Sequence, residues 1–287
     1  MTEQWTVKRI LDWTIPFFEK KAIPESRLSA ELLLAEVLHC TRLELYVQFE
    51  RFLTPHEREH FRNFVTRRAA GEPVQYILGH TSFMGLDIRV GPGVLIPRSE
   101  TEILVDCVLE HLGTTGNQPQ SALDIGSGSG CIAIALSKLA NNVRVSAVEK
   151  SPTALEIARE NARILEAPVT WIAGDFFEQL PHLAESFDIV VSNPPYVTGA
   201  EWQALETQVR DFEPKEALVG GGPDGLGFYR DLAAGLDRIL NPGGAIFLET
   251  GHQQAKAVAA ILEARGLSTA IRRDYSHIER VVIGKRN

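Results

Sequence analysis

Two hydrophobic periodicities divide the chain. Up to about residue 71 the apolar positions recur at helical spacing. Between Ser26 and Cys40, residues Leu28, Leu32, Leu33, Ala35 and Leu38 fall largely on one face. Thr54-Pro55-His56-Glu57 is a capping box with proline at the first helical position, and Gly71 closes the helix it opens. Gln75-Tyr76-Ile77 and the stretch 81–90 then read as strands, with Gly85 in a turn. A second capping box, Ser99-Glu100-Thr101-Glu102, opens a helix carrying Ile103, Leu104, Val105, Val108 and Leu109. After a polar loop at 113–120, short apolar runs alternate with helical patterns to the end, where Val281-Val282-Ile283 reads as a closing strand. Continuous short apolar runs are strands buried on both faces, and their alternation with helices predicts a parallel α/β sheet. The predicted organisation is a helical domain over 1–73, a β-hairpin linker over 74–97 and an α/β domain over 98–287.

Candidate chemistry gathers at the ends of the predicted strands, where open α/β sheets bind ligands. Ala122-Leu123-Asp124-Ile125 runs into Gly126-Ser127-Gly128-Ser129-Gly130, and an apolar helix follows. The dinucleotide fingerprint needs its third glycine where Cys131 stands, and the Gly-Lys-Ser/Thr of a phosphate loop is absent. The loop therefore suits close backbone approach to a ligand without diphosphate. The next strand, 143–148, ends in Glu149, placed to accept from two ribose hydroxyls. The strand 169–173 ends in Gly174-Asp175-Phe176. There Asp175 could accept from an adenine amino group, and Phe176 could pack on the ring. A nucleoside without diphosphate, read by three successive strand ends, fits S-adenosylmethionine, with S-adenosylhomocysteine as product.

The run Phe187-Asp188-Ile189-Val190-Val191-Ser192 ends in Asn193-Pro194-Pro195-Tyr196. A planar amino group conjugated to a carbonyl or ring is a poor nucleophile unless both N–H bonds are held. The Asn193 side-chain oxygen can accept one, and a loop carbonyl stiffened by proline, that of Pro194, can accept the other. Tyr196 can cover the flat face of the guest group. In isolation, the same four residues also fit a rigid turn after a strand.

With these motifs in place, the chain resembles the release factor glutamine methyltransferases (HemK type), a family of class I S-adenosylmethionine-dependent methyltransferases. The resemblance spans nearly the whole chain. It rests on Arg67-Arg68 with Gly71-Glu72-Pro73, Leu95-Ile96-Pro97-Arg98-Ser99-Glu100-Thr101-Glu102, the 124–130 and 191–196 motifs, Phe212-Glu213-Pro214, residues 221–226, Asp274-Tyr275 and Glu279-Arg280-Val281. It implies a Rossmann-like seven-stranded methyltransferase domain with a small helical N-terminal domain that recognises the substrate. It implies methyl transfer to the side-chain amide nitrogen of the glutamine in the Gly-Gly-Gln loop of class I peptide chain release factors. Carried onto this chain, Asn193, Pro194 and Tyr196 are the catalytic candidates, with Pro195 also in the substrate site. Asp124, Gly126, Ser127, Gly128, Ser129, Gly130, Glu149, Asp175, Phe176 and Asn193 are the cofactor candidates. Glu149 and Phe176 stand where family members often have Asp and some have Trp. Arg98 and Glu102 read as helix-start charges, without an assigned role. The 191–196 motif also occurs in amino methyltransferases acting on adenine or cytosine, so a nucleic-acid substrate is the alternative.

Charge bears on that alternative. The net charge is −8; residues 1–98 hold 13 Lys/Arg against 12 Asp/Glu, and the remainder 16 against 25. An acidic catalytic half disfavours nucleic acid, which calls for a basic stripe. Arg58, Arg62, Arg67 and Arg68 form one small basic cluster, read as a solvated helix face balanced by Glu57 and Glu59. No apolar run approaches the ~18 residues of a membrane span, and the chain start lacks a signal-peptide pattern. Cys40, Cys107 and Cys131 make no metal or redox pattern, and no histidine pair has ligand spacing, so no metal is expected. A cytoplasmic monomer is the expectation. Between Val197 and Asp224 a long, partly helical loop is expected to wall the site, with Gly220-Gly221-Gly222-Pro223 supplying flexible backbone.

Overall fold

The computed structural model describes residues 4–114, 116 and 118–286. The start of the chain, Met1 to Glu3, and Thr115 and Asn117 of the polar loop lie outside the described residues. Contacts divide the chain into two units: residues up to His80 together with Glu206–Phe212, and Thr81–Leu205 together with Glu213 onward.

The first unit is helical: α1 (Val7–Lys20), α2 (Ser26–Leu38), α3 (Arg42–Val47), α4 (Pro55–Ala69) and α5 (Val74–Leu78). Phe18, Leu33, Leu34, Leu45 and Phe61 fill its core. The capping box of α4 forms as the spacing requires, with the Thr54 amide donating to Glu57 Oε2 at 2.8 Å. Two expectations are corrected here. The strand expected at Gln75–Ile77 is the helix α5. Pro73 begins it, Tyr76 and Ile77 both donate back to the Pro73 carbonyl at 3.1 Å, and Gly79 ends it at φ 84°. A short apolar run fits either period, and the flanking proline and glycine decided it. Arg68 is no solvated face residue. It is 2% exposed, and its guanidinium donates to Ser29 Oγ, the Glu72 and Pro24 carbonyls and Gln208 Oε1. Arg67 pairs with Glu72 at 2.5 Å.

The chain continues through the hairpin β1 (His80–Phe83) and β2 (Leu86–Arg89), then α6 (Ser99–Thr114), β3 (Gln120–Ile125), α7 (Cys131–Leu139), β4 (Val143–Glu149) and α8 (Pro152–Ile164). Helix α6 runs through Gly113, the first residue of the expected polar loop. There follow β5 (Val169–Ala173), α9 (Phe176–Gln179), β6 (Phe187–Ser192), α10 (Gly199–Ala204), α11 (Thr207–Phe212), α12 (Gly227–Ile239), β7 (Leu240–Glu249), α13 (Ala255–Glu263), β8 (Leu267–Arg273) and β9 (Glu279–Arg286). Helix α11 belongs to the first unit.

Seven strands form one sheet in the order β5-β4-β3-β6-β7-β9-β8. Strands β3 to β7 are parallel, and β9 runs antiparallel to both neighbours. Strand order reverses between β3 and β6. That switch point opens a crevice at their carboxyl ends, because the flanking connections leave to opposite faces. Leu123, Val190, Ile246 and Val282 are fully buried in the sheet, and Tyr229, Leu232 and Leu236 of α12 pack on it. The residues that emerge at the crevice are therefore held by a rigid floor.

Candidate active site

Four adjacent strands deliver the site. β3 ends in the glycine loop, β4 in Glu149, β6 in Asn193–Tyr196 and β7 in Glu249. The structure thus brings together the glycine loop, Glu149 and the 193–196 turn, all on one edge of the sheet.

In the glycine loop, Gly126, Gly128 and Gly130 all have positive φ, at 75°, 56° and 82°. They differ in surroundings. A Cβ on Gly126 or Gly128 would meet nothing within 4 Å, so those two leave open space above the backbone. On Gly130 it would lie 2.9 Å from the Trp171 ring, so that glycine serves helix packing. Glu149 is 8% exposed and braces the loop: its Oε2 accepts from Gly128 N and its Oε1 from Ser151 N, both at 2.7 Å. Burial pushes its carboxyl above the usual range, and these backbone amides oppose the shift.

Beneath the loop, Asp124 is fully buried, and neither carboxylate oxygen closes a hydrogen bond. Burial pushes it up to about 7; the Ala133 amide opposes the shift, and the Glu149 charge adds to it. The hydroxyls of Ser127 and Ser129 are likewise buried and unpartnered. Unsatisfied buried groups are costly, so their gathering in one loop marks a place built to be completed by a polar guest. Cys131, next in the chain, has its thiol pushed up to about 12 by burial, which makes it inert packing. Among the described residues no cluster of side chains could hold a metal ion.

At the third strand end, Asp175 caps α9, with Oδ1 accepting from Phe177 N at 2.9 Å and Oδ2 paired with Lys150 at 3.0 Å. Phe176 is 5% exposed and sits in the sheet-face core, edge-on to Phe177. Both side chains already have structural partners.

In the 193–196 turn Pro194 is buried, and Asn193, Pro195 and Tyr196 are half-buried. Asn193 Nδ2 donates to Thr101 Oγ1 at 3.0 Å, which leaves its Oδ1 as the unused acceptor. No described residue donates to the Pro194 carbonyl. Tyr196 lies over Gly251, and its hydroxyl donates to Glu249 Oε1 at 3.3 Å. A cavity of ≈ 310 Å³ opens beside it, lined by Val197, Leu205, His252 and Gln254 among others.

The segment 218–227 clamps this turn. Val197 N donates to Leu218 O, Gly220 N donates to Val197 O, and Gln254 Nε2 donates to Tyr196 O. A Cβ on Gly220 would stand 1.8 Å from the Pro195 carbonyl, and one on Gly225 2.4 Å from that of Tyr196. The expectation of flexible backbone is therefore corrected at Gly220, which is there for close packing. Arg98 and Glu102 also gain roles. Glu213, 5% exposed, takes the Arg98 guanidinium on Oε1 and the Ile96 amide on Oε2, and Glu102 Oε1 accepts from Met84 N. Together they fix the segment leading into α6. The sequence reading missed Thr101, Glu213 and Glu249 as site neighbours. The rule that found Glu149, an acid at the end of a strand, would also have found Glu249.

A seven-stranded sheet with its one antiparallel insertion at β9, and ligand-facing loops at the switch point, defines a Rossmann-like methyltransferase fold. A solved methyltransferase from Pyrococcus furiosus shares it, with TM-score 0.52, 23% identity and coverage of 72% of this chain and 91% of that one. Family models match in order: "PrmC N-terminal domain" over residues 9–79 and "Methyltransferase small domain" over 99–222. Release factor glutamine methyltransferase from Geobacter sulfurreducens is 42% identical over 99% of both chains. Its namesake from Chlorobaculum tepidum is 39% identical over 96% of both. The chain belongs to the release factor glutamine methyltransferase family.

Proposed function

We propose that this protein transfers a methyl group from S-adenosylmethionine to the side-chain amide nitrogen of the glutamine in the Gly-Gly-Gln motif of class I peptide chain release factors. The observation that carries this reading is the pair of unused acceptors, Asn193 Oδ1 and the Pro194 carbonyl, on a clamped turn at the sheet's switch point. A primary amide has two N–H bonds, and two fixed acceptors match it.

The residues present fit the cofactor. Gly126 and Gly128 leave room for a nucleoside against the backbone, Glu149 retains acceptor capacity for ribose hydroxyls, and Asp124, Ser127 and Ser129 hold unpartnered polar atoms. When bound, S-adenosylmethionine supplies an activated methyl group on a sulfonium. The protein's own work is then positional. Asn193 and Pro194 hold the amide plane, so that the nitrogen lone pair is presented rather than free to rotate. Tyr196 packs against the guest side chain. No base is required before transfer, because alkylation itself acidifies the amide nitrogen. Fixing the nucleophile in line is the largest contribution such a site can make. Asp175 and Phe176 are proposed to meet the adenine end by small rearrangement, since both are engaged in the structure as it stands.

The helical unit over 1–73 is proposed to recognise the protein substrate, with 74–97 as the linker to the catalytic domain over 98–287. The complete set of cofactor candidates within the second unit supports that division of labour. The acidic catalytic half supports a protein substrate over nucleic acid. Among the described residues, no helix is long and apolar enough to cross a membrane. The test is incubation with cofactor and either intact release factor, DNA or RNA, followed by mass analysis. A gain of one methyl on the release factor alone is expected. Methylation of nucleic acid with none on the release factor would refute the reading.

A further inference from the structure

Asn161 stands on α8 and is 1% exposed, and its side chain makes three hydrogen bonds. Its Oδ1 accepts from the Arg89 amide at 2.9 Å, and its Nδ2 donates to the Arg89 carbonyl at 3.0 Å and to the Ser129 carbonyl at 2.9 Å. Both amide hydrogens are thereby used. Arg89 ends β2 of the hairpin, and Ser129 belongs to the glycine loop. One buried carboxamide thus pairs with the hairpin backbone as a neighbouring strand would, and its remaining hydrogen reaches the loop. The helix that carries it is set by the site as well. Its cap, Ser151, is the residue whose amide Glu149 holds. The segment after β2 also comes close to α8: a Cβ on Gly93, at φ 105°, would stand 2.9 Å from Thr153 Cγ2.

The glycine loop needs such an anchor. Gly128 and Gly130 flank Ser129, both at positive φ, and peptide planes beside glycine turn at little steric cost. On the β4 side the loop is well held. Gly126 N and Ser127 N donate to Val148 O, and Gly128 N donates to Glu149. On the α7 side, the peptide between Ser129 and Gly130 is held at its two ends. Gly130 N donates to Ser127 O at 2.8 Å, a bond within the loop itself, and Ser129 O accepts from Asn161. No backbone amide among the described residues donates to Ser129 O. Without Asn161 this plane loses its attachment to the rest of the fold. Ser129 also carries one of the buried, unpartnered hydroxyls of the loop, so turning the plane displaces that hydroxyl.

We infer that Asn161 is a positioning residue for the cofactor. Through the Ser129 carbonyl it holds the glycine loop in the form that receives S-adenosylmethionine, and it ties that form to the hairpin. The inference rests on the placement of the cofactor over this loop given above. A carboxamide is a rigid plane, so the Ser129 carbonyl cannot shift without straining both bonds to Arg89. Order that the loop gains on binding cofactor is passed along this chain of hydrogen bonds to β2.

The test measures S-adenosylmethionine binding to the full-length protein by calorimetry, with steady-state methyl transfer to release factor beside it. Asn161→Ala should bind cofactor about tenfold more weakly, the order of one lost buried hydrogen bond. KM for cofactor should rise by a similar factor, and kcat should fall far less, because the 193–196 turn belongs to another strand end. A merely structural loss would lower the folded fraction, and with it kcat, while leaving cofactor affinity and KM alone; that result would overturn the inference. Asn161→Leu fills the space without polar atoms and should match Asn161→Ala. Wild-type affinity in Asn161→Leu would trace the loss to a cavity and overturn the inference too. Glu149→Ala separates this claim from the reading beneath it. Weakened binding in Glu149→Ala with none in Asn161→Ala would overturn the inference alone. Unchanged binding in both would refute the placement of the cofactor over the loop as well. A second readout needs no variant and no methyl acceptor. Exchange of the Arg89 amide hydrogen in the wild type should slow when cofactor is added. An Arg89 amide indifferent to saturating cofactor would overturn the tie to the hairpin.

Discussion

Glu149 does two jobs with one carboxylate. It ties Gly128 and Ser151 in place, and its remaining lone pairs are proposed to accept from the cofactor. Glu149→Ala should weaken S-adenosylmethionine binding by about 1–3 kcal/mol, the usual size for hydrogen bonds to a charged group, as measured by calorimetry. Because burial raises its pKa, affinity should also fall as pH drops toward that raised value, and the mutant should lack this dependence. Unchanged affinity in a folded mutant would take Glu149 out of the site. At this scale the sequence was most legible where one rule sufficed: an acid at a strand end, or an amide before two prolines. It was least legible where a partner lies far away in the chain. Thr101 reads as a capping-box residue, and nothing local tells that it meets Asn193. Asp175 read as an acceptor for adenine, and in the structure it also caps its own helix and pairs with Lys150.

Elements explain why the turn at 193–196 is rigid. It is held by the segment 218–227, whose glycines allow backbone to lie on backbone. Gly220→Ala should force that segment off the Pro195 carbonyl and cut turnover about a hundredfold, as a misplacement of roughly 1 Å does. Cofactor affinity should stay close to wild type, because the glycine loop belongs to a different strand end. Equal loss of cofactor binding would mean that the two loops are not independent. In the helical unit, Arg68 ties α4 to Ser29 of α2, to the Pro24 carbonyl and to Gln208 of α11. Arg68→Ala leaves those acceptors unpaired and should destabilise that unit by about 2–3 kcal/mol, read by chemical denaturation. Charge patterning alone placed Arg68 on a solvated face, since burial of an arginine depends on acceptors that only the folded helices bring together. The α/β alternation was legible because the central strands β3, β4 and β6 are short runs buried on both faces. The helix α5 was not, because five residues carry no period.

At the scale of the whole molecule, the catalytic unit carries two buried carboxyls with pKa values raised to about 7, Asp124 and Glu249. The folded state holds these protons at a pH where the unfolded chain has lost them. The contribution of these two groups to the stability of the cofactor-free protein is therefore greatest in mild acid and should fall as pH rises from about 4 toward 7, by up to about 1.4 kcal/mol per pH unit for each group. Denaturant titrations between about pH 5 and 8 should register the slope, and Asp124→Asn should remove its share. A cost of this kind is common where a site is arranged for a ligand rather than for stability. The central claim is that Asn193 holds a glutamine amide of a release factor for methyl transfer. The most direct test is single-turnover reaction of intact release factor with wild type and Asn193→Ala at saturating cofactor, with the methyl located by peptide fragmentation. The account predicts one methyl on the side chain of the Gly-Gly-Gln glutamine with the wild type. With Asn193→Ala it predicts a rate lower by about a hundredfold or more at nearly unchanged cofactor affinity. Wild-type turnover in Asn193→Ala, or a methyl found elsewhere on the release factor, would contradict it.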